Sequence, residues 1–515
     1  MTGLIPVGWQ VGSLERVVRS SGGGTPSKAD SRYWTGGTIP WVSPKDMKTF
    51  VIGASEDEVT EKALERLSLI PVGSVLMVVR SGILSRTLPV AITSAPVTIN
   101  QDIRAFTPEP GVLAKYVAWQ LIAKEHELLR ECSKHGTTVA SMEGPALLRF
   151  PLWIAPSNEQ ILIVAKLEEL LSDLDAGVAE LKAAQRKLAQ YRQSLLKAAV
   201  EGALTAEWRA QHTPTETGAQ LLERILTERR ARWEANQLAK VKDQGKTPPA
   251  GWQKKYVEPV QPDMTDLPVL PQGWVWASGE QLCEFITKGT TPAKDLDIGR
   301  DKAIPFLRVT NLTDRGELDL NDEVFVSLKT HRGFLARSAV YPNDVLMNIV
   351  GPPLGQVAVV PALFSEWNIN QAIAIFRAVD GVLPWFMCRY LLSPVAQRWL
   401  KARSKTTAGQ TNLTLEVCRS LPIPLPPQAE QRELLGSLEL VMSSIAWQGQ
   451  AIAHALHQST AQRQNILRAA FAGQLVPQDP NDEPASRLLA RIRAERAANG
   501  KPAKARKSRA AKEPA

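Results

Sequence analysis

Residues 193–204 read QSLLKAAVEGAL, and residues 464–475 read QNILRAAFAGQL. Each stretch carries apolar residues at helical spacing. The same phrase recurring 271 residues later says that the chain is written twice. The rest of the duplication lies to either side. FPLWIAPSNEQ (150–160) returns as LPIPLPPQAEQ (421–431), and INQD (99–102) as INQA (369–372). VLM (75–77) recurs at 345–347, IPWVSPKDM (39–47) as IPFLRVTNL (304–312), GGTPSK (23–28) as GTTPAK (289–294), and LIPVGW (4–9) as VLPQGW (269–274). Downstream, AQLLERILTER (219–229) resembles SRLLARIRAER (486–496). The order is kept throughout, so a repeat this long is a domain duplication and not a solenoid.

Texture changes partway through each copy. The first part mixes short apolar runs, VLMVV (75–79) and VAVV (357–360), with Gly and Pro turns, which predicts a mixed α/β (α+β) domain. After the Pro-rich segments 151–156 and 421–427 the pattern becomes helical, with Ser157 a capping candidate. The first long helix carries a heptad stripe: Val164, Leu167, Leu171, Leu174, Val178, Leu181, Gln185, Leu188, Arg192, Leu195 and Ala199. The second carries Leu435, Leu438, Met442, Ile445, Gly449, Ile452, Leu456, Ser459, Arg463, Ile466 and Ala470, a weaker seam with Gly449 and Ser459 in it. Pairing of the two helices with each other accounts for both stripes without a second chain. At about 1.5 Å per residue, a helix of roughly 40–45 residues is a rigid spacer of some 60–68 Å.

The expected organisation is a globular domain over 1–156, a long helix over 157–208, and a helical, Pro-rich linker over 209–265. A second globular domain follows over 266–427, a second long helix over 428–476, and a short helix with a basic tail over 477–515.

Charge alone does not establish a nucleic-acid partner. The net +9 falls mostly in residues 491–515, where nine Lys/Arg face two Asp/Glu, leaving 52 basic against 50 acidic groups elsewhere. That tail reads as disordered; it either adds phosphate affinity or is simply solvated. The opening residues carry no secretory signal pattern, and no run approaches eighteen apolar residues, so a cytoplasmic protein without a membrane span is expected. Cys132, Cys283, Cys388 and Cys418 are scattered, which argues against disulfides and a zinc site.

No catalytic constellation emerges. GKT (245–247) lacks the first glycine of a phosphate-binding loop, since position 240 is Lys, and it lies in a Pro-rich stretch. His126-Glu127 lacks a second His because position 130 is Arg, and His454 and His457 have no third ligand nearby, so no metal is expected. The remaining candidates are contacts. The GGTPSK and GTTPAK loops, with Thr25, Lys28, Thr291 and Lys294, suit a phosphate backbone, or else are turns packing the start of a strand. RWLKARSKTTAGQTN (398–412) is a positive helix end running into a polar loop, with Arg403 and Lys405; its counterpart LLRECSKHGTT (128–138) keeps Lys134. Arg80, Arg86 and Arg308 sit in or after strand-like runs, where a long side chain could reach base edges.

Taken together, P-x-G-W, G-x-T-P, IP-[WF], VLM with INQ, the E-Q helix start and the QSLLKAAVEGAL helix end closely resemble HsdS-type specificity subunits of Type I restriction-modification systems. The resemblance covers nearly the whole chain and rests on the order and duplication of the motifs. It implies two target-recognition domains separated by an antiparallel two-helix coiled coil, with Leu167, Leu174, Leu181, Leu188, Leu195, Leu438, Ile445, Ile452 and Ile466 in its seam. It further implies that each domain reads half of an asymmetric, split site in double-stranded DNA. Two methyltransferase subunits and the restriction/translocase subunits would be partners, holding S-adenosylmethionine, ATP and magnesium, with no catalysis or cofactor in this chain. A coiled-coil scaffold carrying two domains that bind something other than DNA is the alternative.

Overall fold

The computed structural model describes residues 5–134, 140–265, 267–292, 304–407 and 409–499. The chain divides into two compact units, one formed by Met1–Lys182 with Ala453–Ala515 and the other by Ala183–Ile452. Both are mixed α/β and have the same plan.

In the first unit a sheet runs Val18–Gly22, Ile103–Pro108, Val75–Val78, Val90–Thr93, Val51–Ile52. Its counterpart in the second runs Cys283–Lys288, Ile373–Ala378, Val345–Asn348, Val357–Val359. The register matches too: Val75 faces Phe106 as Val345 faces Phe376. Each unit adds a small three-stranded sheet, in which Trp41 pairs with Thr98 and Phe306 with Asn368, both in parallel. Each also ties its opening strand to the strand before the long helix, Gln10–Ser13 to Pro151–Ile154 and Val275–Ser278 to Pro422–Leu425. The repeated VLM and INQ motifs are thus core strands. Leu76, Met77, Phe106, Leu346, Met347 and Phe376 are fully buried, each stabilising its unit by roughly 1.5–3 kcal/mol.

The long helices span Ser157–Val200 and Gln428–Ala470. In the first unit Leu167 and Leu171 from the start of one helix pack with Leu467 and Ala470 from the end of the other, an antiparallel pairing. In the second unit Leu195 and Ala199 pack likewise with Leu434, Leu438 and Ile445. Leu174, Leu181 and Ile466 are half-buried in the first unit and Leu188 and Ile452 in the second, whereas Gln185 is exposed. Arg463, another polar position in the stripe, reaches across to Asp175 at 2.6 Å. Ser157 opens the first helix from within it, its hydroxyl donating to the Gly111 carbonyl at 2.8 Å.

Both helices stop before residues 208 and 476, and they stop by one device. The Ala203 N–H returns to the Ala198 carbonyl at 2.9 Å, and Gln474 N–H to Ala469 at 3.0 Å. These bonds wrap around Gly202 (φ +74°) and Gly473 (φ +69°), left-handed positions that end an α-helix. A Cβ at either glycine would come within 2.5 Å of Pro271 or Pro6, the proline of the P-x-G-W motif in that unit.

That motif's tryptophan performs a second task. The Trp9 indole donates to Glu159 and the Trp274 indole to Glu430, both at 2.8 Å, so each E-Q pair at a helix start is stapled to its own domain. The neighbouring Gln160 and Gln431 accept the Leu113 and Leu383 N–H groups, each at 2.9 Å.

Helix Gly218–Asp243, within the stretch read as a linker, contributes Leu221 and Ile225 to the core of the second unit. Helix Ala485–Asn499 contributes Ala485, Leu488 and Ile492 to the first. Arg496 anchors it through the buried Glu109 carboxylate at 2.7 Å, which Arg19 also bonds. The tail beyond Asn499 lies outside the described residues. Among the described residues no helix is long and apolar enough to cross a membrane, and no three His, Cys, Asp or Glu are grouped to hold a metal. The four cysteines are buried and unpaired.

Candidate nucleic-acid interface

In each unit four separate loops meet at one edge. The G-x-T-P loop comes first. Its leading glycine lies so close to the INQ turn that a Cβ at Gly23 would sit 2.1 Å from the Asn100 carbonyl, and one at Gly289 2.1 Å from the Asn370 carbonyl. Only glycine allows that approach, so the glycine packs the strand start while the threonine beyond it stays exposed. Thr25 donates to the Gln101 side chain, and Gln371 N–H reaches the Thr291 hydroxyl at 3.4 Å.

The INQ turn is the second loop and the turn after VLM the third. Val79 N–H donates to the Asp102 carbonyl at 2.8 Å, as Ile349 N–H does to Ala372 at 2.8 Å. The fourth loop is a hairpin laid against that turn. Met142 N–H bonds the Val79 carbonyl at 2.8 Å and Leu413 N–H the Ile349 carbonyl at 2.9 Å. Arg80 thereby bridges to Ser141, whose hairpin partner is Lys134; in the second unit Val350 bridges to Asn412, whose partner is Lys405.

The structure therefore brings together Thr25, Arg80 and Lys134 in one unit, and Thr291 and Lys405 in the other. Arg308 joins the second group, since it follows Leu307, whose carbonyl accepts the Asn370 N–H at 3.0 Å. Lys28 and Arg86 are exposed in the G-x-T-P loop and in the turn after Val75–Val78. Lys294 lies outside the described residues.

Two candidates are held by acids that no local pattern reveals. Arg308 pairs with Asp322, and Arg403 pairs with Asp263 while lying 4.2 Å over the Trp399 ring. Bonds from Thr265 and then from Arg403 hold the Asp263 carboxyl below the usual carboxylate range. On the helix bearing Arg403, Arg398 and Lys401 are exposed, with no ion pair among the described residues. The edge thus has what DNA contact requires: cations for phosphates, and hydroxyls and amides for base edges, on strand ends and the turns between them. Sequence reading missed Gln101, Gln371 and Asp102; the repeated INQ motif was the signal that could have found them.

The family model of the Type I restriction modification DNA specificity domain matches residues 6–183 and again 271–453. The chain belongs to this family. Each specificity domain so matched contains one four-loop edge and the greater part of one long helix. Among curated relatives, the EcoR124I/EcoR124II specificity subunit of Escherichia coli is 36% identical over 36% of this chain and 47% of its own length. The EcoBI specificity subunit, also from Escherichia coli, is 28% identical over 70% of this chain and 68% of its own. The chain thus matches about half the length of the first relative and about two thirds of the second. One chain of a solved type I R-M system, described for its complex assembly and conformational transition, shares the fold. It has a TM-score of 0.63 at 17% identity, over 92% of this chain and 99% of that one.

Proposed function

We infer that this chain is the DNA sequence-specificity subunit of a Type I restriction-modification complex. The observation that carries this reading is the specificity domain occurring twice, each time ending in one long helix of the antiparallel pair. Each domain reads one half of an asymmetric, bipartite site, and the helices set the gap between halves. Two readers on one duplex must match its helical phase, about 34–36 Å per turn or a multiple.

Chemistry belongs to partners in this reading. Two methyltransferase subunits modify adenine in the half-sites with S-adenosylmethionine, and restriction/translocase subunits add ATP- and magnesium-dependent cleavage. This chain contributes specificity, in the cytoplasm, as part of bacterial defence. The scaffold alternative is weaker because the two domains share not only a core but the same exposed edge.

The test is to express the chain with its cognate methyltransferase and map adenine methylation genome-wide. A bipartite, asymmetric motif is expected. A continuous palindrome, or no methylation, overturns the reading. Titrating the purified complex on DNA across a salt series separates the scaffold, which would show no salt-dependent binding.

A further inference from the structure

The two edges differ at one point in a way that concerns base recognition. Arg80 Nε donates to Asp102 Oδ1 at 2.6 Å. The carboxylate is itself fixed, because Asn100 Nδ2 donates to Asp102 Oδ2 at 3.1 Å and the Asp102 N–H returns to Asn100 Oδ1 at 3.0 Å. Asn100 is buried, so the chain Asn100–Asp102–Arg80 runs from the core outward to a half-exposed guanidinium. Asp102 takes Nε, and among the described residues nothing takes Nη1 or Nη2. Among the described residues the two terminal amino groups thus form a pre-aimed fork.

The second unit keeps the inner part of this chain and omits the outer part. Asn370 Oδ1 accepts the Ala372 N–H at 3.2 Å, as Asn100 does for Asp102, and Ile349 meets Ala372 as Val79 meets Asp102. Yet the carboxylate has become Ala372 and the arginine Val350. A difference confined to the exposed end of a shared framework separates the recognition properties of two domains without altering their fold.

We propose that Arg80 is a specificity-determining residue of the first domain, reading a guanine through Nη1 and Nη2, with Asp102 as its positioning residue. A two-pronged donor matches the paired acceptors O6 and N7 that guanine alone presents in the major groove. Anchoring Nε removes rotamer freedom that a surface arginine would otherwise lose on binding. The second domain has the apolar Val350 at that position. This inference rests on the specificity-subunit reading.

The experiment uses the full chain with its methyltransferase, measuring methylation and binding on a library of single-base variants of the mapped site. For Arg80→Ala, discrimination is expected to fall about ten- to a hundredfold at one G·C pair of one half-site, with the other half-site unchanged. Asp102→Asn keeps the backbone contacts with Asn100 and Val79. It is expected to blur preference at the same pair by a smaller factor and leave other positions alone, a readout that general destabilisation would not produce. Uniform weakening across the library with a salt slope reduced by about one would make Arg80 a phosphate contact and overturn the proposal. An unchanged profile would also overturn it. If the unsubstituted complex shows no bipartite site, the specificity-subunit reading fails first, and this result is distinct from either.

Discussion

In the first unit Asp102 gives its carbonyl to Val79 and its carboxylate to Arg80; in the second Ala372 gives its carbonyl to Ile349 and has nothing further to offer. The same contrast recurs at the helix starts. Glu159 and Glu430 each accept a tryptophan indole, but only Glu430 has a cation, Arg209 at 2.8 Å, with Thr205 donating at 2.7 Å. Among the described residues no Lys or Arg pairs with Glu159, and burial, with Asp482 nearby, pushes its carboxyl above the usual range. Duplication has thus preserved backbone hydrogen bonds and the core while side chains at the ends of those bonds diverged. Backbone pairing is indifferent to side-chain identity, so it survives where charge and shape are free to change.

The two buried glutamates offer the largest asymmetry to break. Arg209→Met leaves a nearly fully buried carboxylate without its cation and is expected to cost about 3–5 kcal/mol in chemical denaturation. Glu159→Gln is expected to act in the opposite direction. The raised carboxyl pKa means the folded state holds its proton more tightly than the unfolded state. Glu159 therefore favours folding at pH below the ordinary carboxylate range, and this contribution is lost as pH rises through the raised value. The amide keeps an acceptor for Trp9, so the variant should gain stability at neutral pH and lose that advantage in acid. Equal responses at pH 5 and pH 8 would contradict this account.

Next comes the seam, where the two halves should agree. Leu167→Ala and Leu438→Ala, both buried, are expected to cost about 2–5 kcal/mol each, and the half-buried Leu174 and Ile452 distinctly less. Denaturation of the four variants decides it; equal losses at all four would mean the seam is uniformly packed. Smaller again, Gly202→Ala and Gly473→Ala should each lower stability by about 1–2 kcal/mol, from the left-handed backbone alone, with more from the Pro271 and Pro6 clashes. Thermal melts that leave either variant unchanged would remove the helix stop as a shared device. The smallest effect expected is at the rim: Lys28→Ala or Lys134→Ala should weaken DNA binding evenly across sequences and reduce the salt slope by about one.

The repeat, the heptad stripes and the alternation of strand and turn were legible because each is local and periodic. VLM already looks like a buried strand, whereas the helix stops at Gly202 and Gly473 show only in the left-handed backbone there. What was not legible depends on distance along the chain. Arg308 finds Asp322 and Arg403 finds Asp263, 140 residues away, and no spacing rule reveals such pairs. The P-x-G-W and E-Q motifs were visible as repeats, but only the indole bonds from Trp9 and Trp274 show that they hold each helix to its domain. Likewise Thr25, Arg80 and Lys134 are separated in sequence; the INQ turn gathers the first two and the hairpin bridged to Arg80 brings Lys134.

Domains interchangeable in frame and different in what they read should trade half-sites when exchanged. The direct measurement is to replace the second domain, residues 266–427, with the first, residues 1–156, express the variant with the methyltransferase, and map the methylated motif. The expected result is a bipartite site whose two halves become inverted copies of the half-site read by the first domain. An unchanged asymmetric motif would contradict it.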